Sequence, residues 1–208
     1  VRILVAYYSL SGYTRSLAEA TAAALSELRA GGSAMSETQA GACSLPEAQS
    51  DDGTRAPARA GEQADGTRDP GVELLEVVPA KAYSYFTAGV KGVTQAMAGT
   101  IVELSSPLPE AGSFDALVVL SPTWGWMSSP PVRSFVAGLP EGEGRPTVVG
   151  VTHAGGPIGS FDRLAELVEE RGYEVRERLS VFCYDRAAIA AAAERAAIAL
   201  LGERAVGD

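Results

Sequence analysis

Basic residues, cysteine and histidine are all scarce in this chain. Its 17 Lys and Arg stand against 26 Asp and Glu, a net charge of −9. That balance argues against nucleic acid, whose binding leans on cationic side chains set against phosphates. The same acidity suits a basic protein partner, because complementary fields steer encounter; it also simply keeps a chain in solution. The two cysteines, Cys43 and Cys183, lie far apart in unlike contexts, so neither a disulfide framework nor a cysteine metal cluster is expected. His153 is the single histidine, which leaves a His-based metal site or triad without ligands. No metal and no catalytic residue is assigned. No apolar run approaches the roughly 20 residues of a membrane helix. The apolar stretch Val1 to Ala6 has no basic leader or cleavage site beside it, so a cytoplasmic location is expected.

A further gap is internal. From Gly31 to Pro70 there is no Val, Ile, Phe, Tyr or Trp. Such a stretch cannot bury enough apolar surface to offset its ordering entropy. It is expected to be a disordered insertion within one domain covering residues 1–208, whose length is ordinary for a domain.

What is present begins at Val1 to Ser16. Ile3 to Tyr8 is an apolar run rich in β-branched and aromatic residues, which reads as a buried strand. It stops at Ser9-Leu10-Ser11-Gly12-Tyr13-Thr14. Leu17, Ala20, Ala24, Leu25 and Leu28 then recur near a 3.6 period, so a helix follows and should end near Arg29 to Gly32. Strand, hydroxyl-rich loop and helix together make an anion site. The first backbone amides of a helix have no intrahelical acceptor, and the helix dipole is positive there. Ser9, Ser11 and Thr14 add hydroxyl donors, and Gly12 lets the backbone close round a ligand. Apart from Arg15 the donors are neutral. The nucleotide-triphosphate loop G-x-x-x-x-G-K-[ST] is excluded by its missing Lys, and the dinucleotide fingerprint G-x-G-x-x-G by its missing glycines.

Further strands are expected at Val72 to Val78, Ala116 to Leu120, Thr147 to Thr152 and within Glu174 to Tyr184. Helices are expected over Lys81 to Gly99, Val132 to Leu139, Phe161 to Arg171 and Ala187 to Leu201. In the second helix Tyr85, Phe86, Val90, Val93 and Met97 share a helical spacing; Tyr83, Tyr85 and Phe86 are within reach of a ligand edge, but the stripe is read as a face packed on the sheet. Strict β-α alternation implies an α/β fold: one doubly wound, five-stranded parallel sheet of order 2-1-3-4-5, with helices on both faces. Its ligand crevice lies at the carboxyl ends of strands one and three.

The loops flanking that crevice are chemically special. After the third strand, Pro122-Thr123-Trp124-Gly125-Trp126 carries both tryptophans of the chain. One is expected to pack inward and the other to meet a flat ligand. After the fourth, His153-Ala154-Gly155-Gly156 lets backbone amides approach a ring edge, and His153 offers a hydrogen bond to a ligand.

These three segments, in this order and each after its strand, resemble the three FMN loops of the flavodoxin-like superfamily. The resemblance spans nearly all of the chain outside Gly31 to Pro70. It implies one non-covalent FMN. Ser9, Ser11 and Thr14, with the amides from Leu10 to Thr14, would hold its phosphate. Pro122 to Trp126 would flank one side of the ring, and His153 to Gly156 the other edge. Tyr13 departs from the pattern, standing where many flavodoxins have Asn. The resemblance further implies electron transfer, either as a one- and two-electron carrier that docks on redox partner proteins or as an FMN-dependent NAD(P)H:quinone oxidoreductase. A third reading is an interaction module without flavin; a phosphoacceptor version would need acids where the chain has Tyr8-Ser9 and Ser121-Pro122. Oligomeric state is left open.

Overall fold

The computed structural model describes residues 1–31, 71–156 and 159–202. The inserted stretch expected from Gly31 to Pro70 lies, from residue 32 onward, outside the described residues. Among the described residues there are six strands: β1 (Ile3–Tyr7), β2 (Val72–Glu76), β3 (Ala116–Trp124), β4 (Met127–Ser128), β5 (Pro146–His153) and β6 (Glu174–Phe182). Five of them form a parallel sheet of order β2-β1-β3-β5-β6, and β4 pairs antiparallel with the end of β3. The expected doubly wound order is therefore present, with one short extra strand counted into the numbering.

Strand β1 is buried along its whole length, as the middle of a sheet covered on both faces requires. Its side chains alternate between two cores. Ile3, Val5 and Tyr7 join Val118, Leu120, Val148, Leu179 and Val181 beneath α1 (Tyr13–Arg29) and α6 (Arg186–Leu201). Leu4, Ala6 and Tyr8 join Leu117, Val119, Val149 and Val151 beneath α4 (Pro130–Gly138) and α5 (Ser160–Glu169). Small residues let α6 approach closely, with Ala192, Ala193, Ala196 and Ala197 all buried. Two prolines, Pro130 and Pro131, open α4, where missing N–H groups cost nothing.

The second helical region departs from expectation. It consists of α2 (Tyr85–Thr87), a π-helical turn (Ala88–Gly92) and α3 (Val93–Met97). The large apolar residues do not face the sheet: Tyr85, Phe86, Val90 and Met97 are all exposed. Ala88, Gly92 and Ala96 are buried instead. At Gly92 the physical reason is Trp124. A Cβ on Gly92 would lie 2.7 Å from its ring, so no larger residue fits at that position. Val93 alone of the stripe packs partly against the core.

Beyond this region the chain runs back along the sheet edge. The amide of Ala80 donates to the Glu103 carbonyl at 2.8 Å, and that of Ser105 to the Val78 carbonyl at 2.8 Å. No helix among the described residues is long and apolar enough to cross a membrane.

Candidate functional site

The carboxyl ends of β1, β3 and β5 meet at one rim, and hydroxyl groups tie them together. Thr14 and Thr152 are buried, and their hydroxyls are 2.7 Å apart. The Thr123 hydroxyl lies 3.3 Å from that of Ser160, at the start of α5. Ser121 accepts from the Ser129 amide at 2.9 Å. Each such contact contributes on the order of 1 kcal/mol, and together they fix where the three loops leave the sheet.

The first loop closes on Gly12, which caps α1 at φ 89°, a left-handed conformation that favours glycine. The Gly12 amide donates to the Ser9 hydroxyl oxygen at 3.0 Å. The helix has no side-chain cap and no acid in its first turn. Its ladder starts with the Ser16 amide donating to the Gly12 carbonyl. The amides of Tyr13, Thr14 and Arg15 are thus left without an intrahelical acceptor, at the positive end of the helix. Arg15 turns away to pair with Glu76 at 2.7 Å, so the open donors are neutral. Ser11 is exposed at the mouth of the loop. Leu10 packs down onto the core shared with Trp124. Thr14 also turns inward, toward Thr152.

The third segment is a hairpin rather than an open loop. Strand β3 continues through Thr123 and Trp124, which pair with Ser128 and Met127. The two residues at the turn both have positive φ, 58° at Gly125 and 62° at Trp126. This is the requirement of the two-residue turns that match strand twist. Trp124 is buried between Tyr8 and Tyr83, with centroids at 5.7 and 5.0 Å and nearly perpendicular rings. Burial pushes the Tyr8 and Tyr83 phenols up from their ordinary value. Trp126 projects from the turn and is 56 % exposed. A bulky side chain in the left-handed region is strained, and such strain clusters where a ligand is held. The tryptophan pair therefore divides into one inward and one outward ring.

At the end of β5 the backbone of Ala154, Gly155 and Gly156 is exposed at the rim. The His153 ring leans the other way, over β6. Its Nε2 is 3.2 Å from the Ser180 hydroxyl, and Phe182 lies at 6.0 Å. Its Nδ1 is buried without a partner.

The structure thus brings together the segments Ser9 to Thr14, Pro122 to Trp126 and Ala154 to Gly156 at one rim, while the side chains of Leu10, Thr14 and Trp124 pack inward and the His153 ring lies against Ser180 and Phe182. Sequence reasoning missed an aromatic rim. Tyr13 packs on Tyr184 at 5.2 Å, and Tyr184 on Phe182 at 5.4 Å. Phe182 ends the last strand and Tyr184 follows it, so the strand-end rule used for the other loops would have found them. Between them Cys183 is buried, which pushes its thiol up from the ordinary value. No group of His, Cys, Asp and Glu among the described residues could hold a metal ion.

No family model matches the chain, and no curated protein matches it either. Solved structures do. A flavodoxin from the domain Archaea is 14 % identical, with 98 % of each chain covered and a TM-score of 0.54. A flavoprotein in complex with FMN from Lactobacillus acidophilus is 14 % identical, with 86 % of this chain and 91 % of that one covered, at 0.53. A protein of Bacteroides eggerthii described as a flavoprotein is 18 % identical over 99 % of this chain and 98 % of its own, at 0.59. The fold is the flavodoxin-like fold.

Proposed function

We propose that the protein binds one FMN non-covalently in the crevice and serves as a one- and two-electron carrier between redox partner proteins in the cytoplasm. When bound, FMN supplies reversible one- and two-electron transfer. The phosphate would sit on the amides of Tyr13, Thr14 and Arg15, with Ser9 and Ser11 as hydroxyl donors. Trp126 would cover one side of the ring, and the amides of the Ala154 to Gly156 backbone would face its other edge. The observation that carries this reading is Trp126: a half-exposed ring held in a strained turn, beside an uncapped helix start, on the rim where this fold takes its ligands. A carrier needs one ring edge open to a partner, and the rim is open there. The net charge of −9 suits docking on basic partner surfaces.

A second reading is an FMN-dependent NAD(P)H:quinone oxidoreductase. It is favoured by the exposed residues Tyr85, Phe86, Val90 and Met97, on the helical region against which the hairpin turn packs. A Cβ at Gly125 would meet Val93 and Met97. Covered by a second copy, that ridge would wall a substrate space. Mixing the FMN-loaded protein with NADPH and a benzoquinone separates the readings. A carrier keeps its oxidised flavin spectrum with NADPH and loses it only with dithionite. A reductase bleaches rapidly with NADPH and recovers on adding quinone. Failure to bind FMN at all leaves the interaction module.

A further inference from the structure

The helical region 85–97 turns one face to Trp124 and another to solvent; a third closes a separate cavity. This cavity, of about 410 Å³, lies between the region, the β2–α2 connection and the returning edge segment. Pro79, Ala80, Ala82 and Val102 give it apolar walls. The Tyr83 ring forms the side shared with Trp124.

Its charge is unusual for this chain. Lys81 and Lys91 are the two lysines of the whole sequence, and both line this cavity. Among the described residues neither has a hydrogen-bond or ion-pair partner. Gln95 is oriented by Tyr83, whose hydroxyl donates to Gln95 Oε1 at 2.8 Å. With its oxygen engaged, the Gln95 amide presents N–H donors. Glu103 is the carboxylate of the lining, so two ammonium groups stand against one carboxylate and the balance matches a monoanion. A volume of this size falls in the range of small-molecule sites, roughly 300–1,000 Å³, in which apolar walls and a few convergent polar groups define the ligand.

We propose that this cavity binds a small cyclic carboxylic acid, its ring between the apolar walls and Tyr83 and its carboxylate on Lys81, Lys91 and Gln95. The site is separate from the flavin crevice and does not rest on the flavin reading.

The test is calorimetric titration of the full chain with 2-naphthoate at low ionic strength, with naphthalene-2-carboxamide as the neutral isostere. One site is expected, with the carboxamide about tenfold weaker, the scale of a charge-assisted contact. Lys81→Met and Lys91→Met should each weaken naphthoate about fivefold, as partly exposed charge pairs do, and Glu103→Gln should tighten it. Both lysines are exposed, so these variants keep the fold. FMN should leave the naphthoate isotherm unchanged. The proposal is overturned by absence of binding at about 10 mM, far beyond the affinity of a built small-molecule site. Equal binding of the carboxamide, indifference to either lysine, or competition by FMN, which would place the probe in the flavin crevice, overturns it equally.

Discussion

Replacing Trp126 by asparagine separates the cost of a strained turn from the worth of a ligand contact. A non-glycine residue in the left-handed region costs roughly 1–2 kcal/mol, and asparagine tolerates that region better than a bulky side chain does. Against this stands the packing of the ring. A tryptophan hides about 150–250 Å² when buried. Trp126 is 56 % exposed, so somewhat less than half of that is lost, or roughly 2 kcal/mol at about 25 cal/mol per Å². The two effects nearly cancel. Apo stability of the variant should stay within about 1 kcal/mol of the parent, a shift in Tm of about 2–4 °C at most for this chain length. FMN affinity should behave differently. Losing the ring contact is worth about 2 kcal/mol, or some thirtyfold in Kd. Thermal melts of the apoprotein and a flavin fluorescence titration read the two quantities. Trp124→Ala is the counterpart: a core aromatic removed from between Tyr8 and Tyr83 should cost about 3–5 kcal/mol. An apoprotein of Trp126→Asn destabilised as much as that of Trp124→Ala would show that the ring is a packing element, and unchanged FMN affinity would show that it does not touch the flavin.

Gly92→Ala places a Cβ 2.7 Å from the Trp124 ring and should destabilise by about 1–3 kcal/mol. Gly89→Ala, whose Cβ meets nothing within 4 Å, should be neutral or stabilising by up to about 1 kcal/mol; urea denaturation compares the two. Thr14→Val leaves the buried Thr152 hydroxyl without its partner and should cost about 1–2 kcal/mol in the same assay. Stability should fall as pH rises above about 9. Burial raises the phenols of Tyr7, Tyr8 and Tyr83 and the thiol of Cys183, so the unfolded chain releases these protons first and binds fewer of them. A urea midpoint that is flat or rising between pH 8.5 and 10.5, on the order of the reference thiol and phenol values, would contradict this.

The sheet was legible because its strands announce themselves by burial. Ile3 to Tyr7 is apolar on both faces, as only a central parallel strand can be, and the alternation of strand and helix then restricts the winding. The crevice loops were legible because glycine and hydroxyl residues follow each strand. The hairpin at Gly125 and Trp126 was not, since Gly-Trp lacks the Asn-Gly or Asp-Gly pattern that marks such turns. The direction of the second helical region was hidden for another reason. Periodicity shows which residues share a face, not which face points inward. At Gly92 it was decided by Trp124, some thirty residues further along, whose ring leaves no room there for a Cβ. The orientation of His153 is likewise set by Ser180 and Phe182 on a neighbouring strand. The pairing of Thr14 with Thr152 joins residues 138 apart in the chain, beyond the reach of any local signal.

On the proposed reading, the rim built by Ser9 to Thr14, Trp126 and the backbone at Ala154 to Gly156 would hold one FMN by its phosphate as well as its ring. Titrating the apoprotein into FMN and into riboflavin, and following the quenching of flavin fluorescence, tests it most directly. One FMN per chain is expected, with a Kd on the order of micromolar or tighter and riboflavin weaker by about a hundredfold, because only the phosphate can use the open amides of α1. Absence of quenching with FMN, or equal affinity for riboflavin, would contradict it.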